Sequence, residues 1–87
     1  MTPVMLARLQ SASDYVLAEL GSKTPAADII AGLVANHRAF YRRGDPNILR
    51  VAGVTASCSW SADTGLLDRW KGNATVRIAT ENAHARA

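Results

Sequence analysis

Val54-Thr55-Ala56-Ser57-Cys58-Ser59-Trp60-Ser61 is the stretch on which the fold class turns. Apolar Val54, Ala56, Cys58 and Trp60 alternate with polar Thr55, Ser57, Ser59 and Ser61. A period of two puts the two sets on opposite faces of a half-buried strand. Residues 48–51 are rich in branched side chains and extend this strand backwards, with Gly53 as a bulge or bend. Residues 75–80, with Val76 and Ile78, form a second strand candidate. Two readings compete for the segment between. In one, Asp63-Thr64-Gly65 is a hairpin turn, Leu66 to Trp70 a middle strand and Lys71-Gly72-Asn73 a second turn. In the other, Leu66, Leu67 and Trp70 mark one face of a short helix. Turn residues at both ends favour the meander. A third reading keeps the whole chain helical, since Asp45-Pro46 can start a helix and Ile48, Leu49 and Ala52 can share a face. Residues 81–87 have no apolar period and are expected to fray.

Upstream, two segments open with the same chemistry. Thr2-Pro3 and Thr24-Pro25 each set a capping hydroxyl before a proline, whose missing N–H costs nothing in a first helical turn. Met5, Leu9, Ala12, Val16 and Leu20 then recur at steps of three and four, the stripe of an amphipathic helix over 3–20 with Gly21 just past its end. A second stripe, Ala26, Ile30, Leu33, His37 and Phe40, flanked by Ile29, Val34 and Tyr41, predicts a helix over 25–43. Asp28 near its start and Arg42 and Arg43 near its end suit the helix dipole, Gly44 can cap it, and Pro46 stops it. The short link at 21–23 predicts an antiparallel helical hairpin. The expected fold is therefore α+β. An αα-hairpin covers a small antiparallel sheet, three-stranded over 48–80, within a single domain spanning 1–87; an all-α fold is the alternative.

With 87 residues and one cysteine, the chain has a small core and cannot form an internal disulfide. Self-association is the remaining common route to stability at this size. A lone cysteine, no leader-like start and no run of membrane-spanning length lead to the expectation of a cytoplasmic protein. Asn73-Ala74-Thr75 matches a glycosylation sequon, read as chance in that setting. The formal charge is +3, and eight of the ten basic residues are arginine once Lys23 and Lys71 are set aside. Arginine favours forked contacts to carboxylate or phosphate.

Arg38, Tyr41, Arg42, Arg43 and Arg50, with His37 beside them, form the densest basic-aromatic group, suited to holding phosphates and stacking on a base. The bland reading is a solvated helix end whose cations complement the dipole. No helix-turn-helix fits around Gly53 or Gly65. His37 lies on an apolar stripe without companions at ligand spacing and reads as structural, and His84 as solvated. Cys58 lacks a local base and reads as a buried thiol. Glycine-rich phosphate loops and carboxylate pairs are absent. Trp60 and Trp70 suit either a sheet core or a partner anchor.

These features lead to the expectation of a non-enzymatic binding or regulatory protein without cofactor or metal. Its compactness and lack of catalytic signatures suit the small accessory proteins that bacteria and their phages use to bind something else. It is expected to act through protein contacts, as a homodimer, with Ile29, Leu33, Phe40 and Trp70 at the interface because the second helix presents a wide apolar face. A nucleic-acid-binding regulator using the Arg38/Arg42/Arg43 end of that helix is the alternative.

Overall fold

The computed structural model describes residues 1–59 and 63–86, apart from the side chains of 85 and 86. Trp60, Ser61 and Ala62 of the alternating stretch, and the core or anchor role expected of Trp60, thus lie outside the described residues. The alternation at Val54–Cys58 is a strand, β3, whose Val54, Ala56 and Cys58 face inward while Thr55 and Ser57 are exposed. Asn47–Val51 is a separate strand, β2, antiparallel to it from Asn47 opposite Cys58 to Val51 opposite Val54. The connection is a two-residue loop with Ala52 at φ 50° and Gly53 at φ 81°. Positive φ at both central residues is what a type I′ hairpin turn requires. Gly53 is therefore part of the turn and not a bulge, and 48–51 folds back on the later strand instead of extending it.

The third strand comes from a region expected to be helical. The predicted helix over 25–43 divides into α2 (Ala26–Asn36) and β1 (Phe40–Arg42). Arg38 adopts φ 55°, which takes the backbone out of the right-handed helix, and the Ala39 N–H turns back to the Leu33 carbonyl at 3.2 Å. Beyond that point, period two describes the burial: Phe40 and Arg42 point outward and Tyr41 is half-buried. β1 pairs antiparallel with β2, Tyr41 opposite Leu49. Gly44 and Pro46, expected to cap and stop a helix, lie in the turn between these strands, where the Gly44 N–H donates to Asn47 Oδ1 at 2.8 Å. The Asp45–Pro46 bond is cis.

Residues expected to form two further strands form one helix, α3 (Asp63–Arg86), so of the expected strands the one at 54–58 stands in the sheet and the later two do not, and residues 81–86 of the tail expected to fray are helical. Leu66, Leu67, Trp70 and Ala74 are buried on one face and Ile78 is half-buried one turn further on. This spacing of three and four matches a helix laid on a sheet. Lys71-Gly72-Asn73, expected to be a turn, is continuous helix, and a side chain at Gly72 would meet open space. Trp70 Nε1 donates to the Val54 carbonyl at 3.1 Å. Arg69 Nη1 reaches the Ser57 carbonyl and Asn73 Nδ2 the Thr55 carbonyl, each at 3.2 Å. Those carbonyls lie on the outer edge of β3, where a fourth strand would otherwise pair.

The fold class is α+β as expected: two N-terminal helices, a three-stranded antiparallel sheet in the order β1-β2-β3, and the long C-terminal helix packed on the sheet. That C-terminal helix is also the element on which α1 (Pro3–Gly21) and α2 converge. Leu9, Ala12 and Val16 of α1 and Ile29, Ile30 and Leu33 of α2 join the same core. No helix among the described residues is long and apolar enough to cross a membrane.

The ends of α1 show both agreement and correction. Thr2 caps the start, accepting from the Met5 N–H at 3.2 Å. The end is closed two residues later than Gly21 suggests. Gly21 is the last helical residue, and Lys23 holds the left-handed position at φ 59°. The Lys23 N–H bonds the Leu20 carbonyl and the Thr24 N–H the Glu19 carbonyl, each at 3.0 Å, the two bonds of a Schellman motif. Thr24 does not cap α2 as expected, because its hydroxyl donates to Glu19 Oε2 at 2.6 Å and Pro25 occupies the cap. Lys23→Gly is expected to raise stability by about 0.5–1 kcal/mol, since an exposed L-residue there carries left-handed strain that glycine lacks. Chemical denaturation of the two proteins checks this, and an equal or lower midpoint for the glycine variant contradicts it.

Candidate nucleic-acid interface

The meander has one covered and one open face. α3 lies against Leu49, Val51, Val54, Ala56 and Cys58, all buried. The opposite face carries the alternate residues. The pairing sets Phe40, Arg50 and Thr55 in one row across the three strands, and Arg42, Ile48 and Ser57 in the next. All six are exposed except Ile48, which is half-buried, and Phe40 is 52% exposed. Arg50 Nε donates to Thr55 Oγ1 at 3.2 Å, which lays the exposed guanidinium along the row.

The electrostatics of this face are one-sided. Residues 37–59 hold Arg38, Arg42, Arg43 and Arg50 against one acid, Asp45, so this segment carries the whole formal charge of +3. Asp45 lies in the β1–β2 turn, off both rows. Arg42 and Arg50 sit on adjacent strands, two register positions apart. Diagonal neighbours of this kind lie about 7–8 Å apart. Exposed arginines at that spacing repel one another weakly and lack a carboxylate between them, which leaves their forks available to an external anion.

Of the five residues expected to contact phosphate, the strands bring Arg42 and Arg50 onto the open face, and Arg43 follows directly where β1 ends. Arg38 precedes the sheet, at the left-handed residue after α2. Tyr41 belongs to the other face: its hydroxyl donates to Asp63 Oδ1 at 2.5 Å, tying β1 to the start of α3. That bond, aided by partial burial and the carboxylate's charge, raises the Tyr41 phenol above its ordinary value, with Arg43 acting in the opposite direction. The Tyr41 hydroxyl is thus engaged by Asp63 and is not presented to a base. Ile48, Thr55 and Ser57 were not singled out from sequence; the alternation through 54–58 already marked the last two as the polar face.

The four residues expected at a protein interface are separated by burial. Ile29, Leu33 and Trp70 have no exposed surface and face the domain's own core, while Phe40 is on the open face. The wide apolar face of the second helix, which motivated the expectation of a dimer, is covered on its Ile29, Ile30 and Leu33 side by α3 and α1. Val34 remains 47% exposed. His37 is the C-cap of α2, its ring 5.2 Å from that of Tyr15, and His84 is exposed. Cys58 faces inward and is buried, as the alternation predicts. Among the described residues no three His, Cys, Asp or Glu side chains converge as a metal site. Comparison with protein-family models, with curated proteins and with solved structures finds no match to this chain.

Proposed function

We propose that this protein is a non-catalytic regulator that binds duplex DNA through the open face of its sheet. The observation that carries the reading is the placement of the chain's whole formal charge in one segment, with Arg42 and Arg50 on an open sheet face whose described residues include no carboxylate. Phosphodiester backbone is the polyanion that matches exposed arginine forks, and neutralising it releases counterions. Three strands span about 10 Å, which suits a major groove about 12 Å wide. β-Sheets and ribbons are a known means of groove entry. Single strands are usually held by several stacking aromatics. Among the described residues Phe40 is the one aromatic on this face, which favours duplex over single strand.

Fluorescence anisotropy with a labelled duplex, titrated across a salt series, tests the proposal. Affinity is expected to fall steeply with salt. Arg42→Ala with Arg50→Ala is expected to lower the log–log salt slope by about 2, roughly 0.9 for each lost phosphate contact. Neither residue is in the core, so the double variant should keep the wild-type melting curve. Absence of duplex binding at low salt removes this reading, and tighter binding of the single strand removes the duplex assignment. In the first case the protein-contact reading becomes the better one, with Phe40 and the exposed Val34 as its remaining apolar contacts. Sedimentation equilibrium at tens of micromolar then decides whether that contact is a second copy.

A further inference from the structure

Away from the sheet face, α1 and the end of α2 enclose an open cleft of about 470 Å³, a volume typical of a small-ligand site. Val4, Arg8 and Ser11 line one side, at the i, i+4 and i+7 positions of α1, and Asn36, His37 and Arg38 line the other. Every polar side chain in that lining can donate a hydrogen bond, and no carboxylate is among them. Among the described residues no hydrogen bond or ion pair occupies the Arg38 side chain, and Arg8 makes a long contact of 3.7 Å to the Met5 sulfur. The C-terminus of a helix would normally oppose an anion through its open carbonyls. Here the Leu33 carbonyl accepts the His37 N–H at 2.9 Å and the Ala39 N–H at 3.2 Å, and the two arginines of the lining set full positive charges against the partial charge of the carbonyls beyond it.

We infer that this cleft is a binding site for a small phosphate monoester. Two guanidinium forks from separate elements, with a hydroxyl, an amide and an imidazole, offer more donors than the two oxygens of a carboxylate can accept. A phosphoryl group presents three acceptor oxygens and up to two negative charges, and it fills such a set better. The remaining volume and the Val4 side chain leave room for the organic part of the ester. The left-handed backbone at Arg38, φ 55°, turns that residue out of the helix direction at the mouth of the cleft. This site is independent of the sheet face, because neither Arg42 nor Arg50 lines it.

The test is a titration of the ¹⁵N-labelled protein with glycerol 2-phosphate, followed by amide chemical shifts, beside sodium acetate at matched ionic strength. Saturable shifts are expected at Ser11 and at Asn36, His37 and Arg38 with the phosphate ester, and not with acetate. Arg8→Gln should weaken the apparent affinity at least tenfold. Arg38→Gly should do the same, and glycine accepts the left-handed conformation, so this variant removes the cation without straining the fold. Shifts of equal size with acetate overturn the proposal, as does saturation that neither variant weakens. No saturable shift up to tens of millimolar ester overturns it as well.

Discussion

Trp70→Ala is expected to leave the chain without a cooperative fold at 25 °C. Trp70 is the largest fully buried side chain, and it sits where α3 crosses the sheet. Removing a buried tryptophan side chain typically costs about 3–5 kcal/mol, because the cavity collapses only in part. A single core in a chain of this size supplies about 3–5 kcal/mol in total. The loss therefore matches the whole stability. The Val54 carbonyl would also lose the indole N–H that reaches it at 3.1 Å. Trp70→Phe separates the two contributions. It keeps most of the ring volume and loses the donor, so it is expected to fold and to be weaker by about 1–2 kcal/mol. Val76→Ala, on the same helix but 66% exposed, should change stability by less than about 0.5 kcal/mol. Urea unfolding followed by far-ultraviolet circular dichroism reads all three. A cooperative transition for Trp70→Ala within 1 kcal/mol of wild type would exclude Trp70 from the core.

Gly32→Ala should destabilise the protein by about 1–2 kcal/mol, against the ordinary direction of that substitution. In an open helix, alanine in place of glycine gains about 1 kcal/mol. In α2 the added Cβ would stand 1.9 Å from Tyr15 Oη and 2.8 Å from Tyr15 Cζ. The tyrosine crosses from α1 over this glycine and meets the His37 ring at 5.2 Å. It has to swing away, and forced displacement in a packed region costs about 1–3 kcal/mol. The sign should reverse once the obstacle is gone. On a Tyr15→Ala background, Gly32→Ala should stabilise by up to about 1 kcal/mol. A double-mutant cycle measures the difference as a coupling of about 2–3 kcal/mol. Stabilisation by Gly32→Ala in the presence of Tyr15 would place the ring elsewhere.

Burial explains why the expected helix boundaries and strand members were only partly legible. Phe40 and Tyr41 lie at helical spacing from Leu33 and His37, so they extend the second stripe on paper. Nothing in 36–39 marks a break, because the break is an arginine in a left-handed conformation that glycine more often takes. The same applies at Lys23 and Ala52, each at positive φ. In all three the local preference is weak, and contacts beyond the turn decide the conformation. Val76 and Ile78 read as strand residues by type, but one is exposed and the other half-buried on a helix, since propensity yields to packing. Of the candidate site, the arginines were legible from density alone. Their separation from Tyr41 was not, because a strand, unlike the helix expected there, sends neighbours to opposite faces.

The sequence by itself determined the first helix with its Thr2 cap, the buried start of the second, the strand at 54–58 with its inward Cys58, and the concentration of positive charge before residue 51. Each follows from a local period, a capping residue or a count, which near neighbours in the chain are enough to express. Only the tertiary structure decided that 40–42 is a strand, that 63–86 is one helix, and that α3 is the element shared by the sheet and both N-terminal helices. The reason lies in what Leu66, Leu67, Trp70 and Ala74 need. A helix sets them on one face against Leu49, Val51 and Val54, and lets Arg69 and Asn73 close the edge of β3. A strand would have turned Leu67 to the face opposite Leu66, Trp70 and Ala74 and left it in water, whereas the helix buries all four.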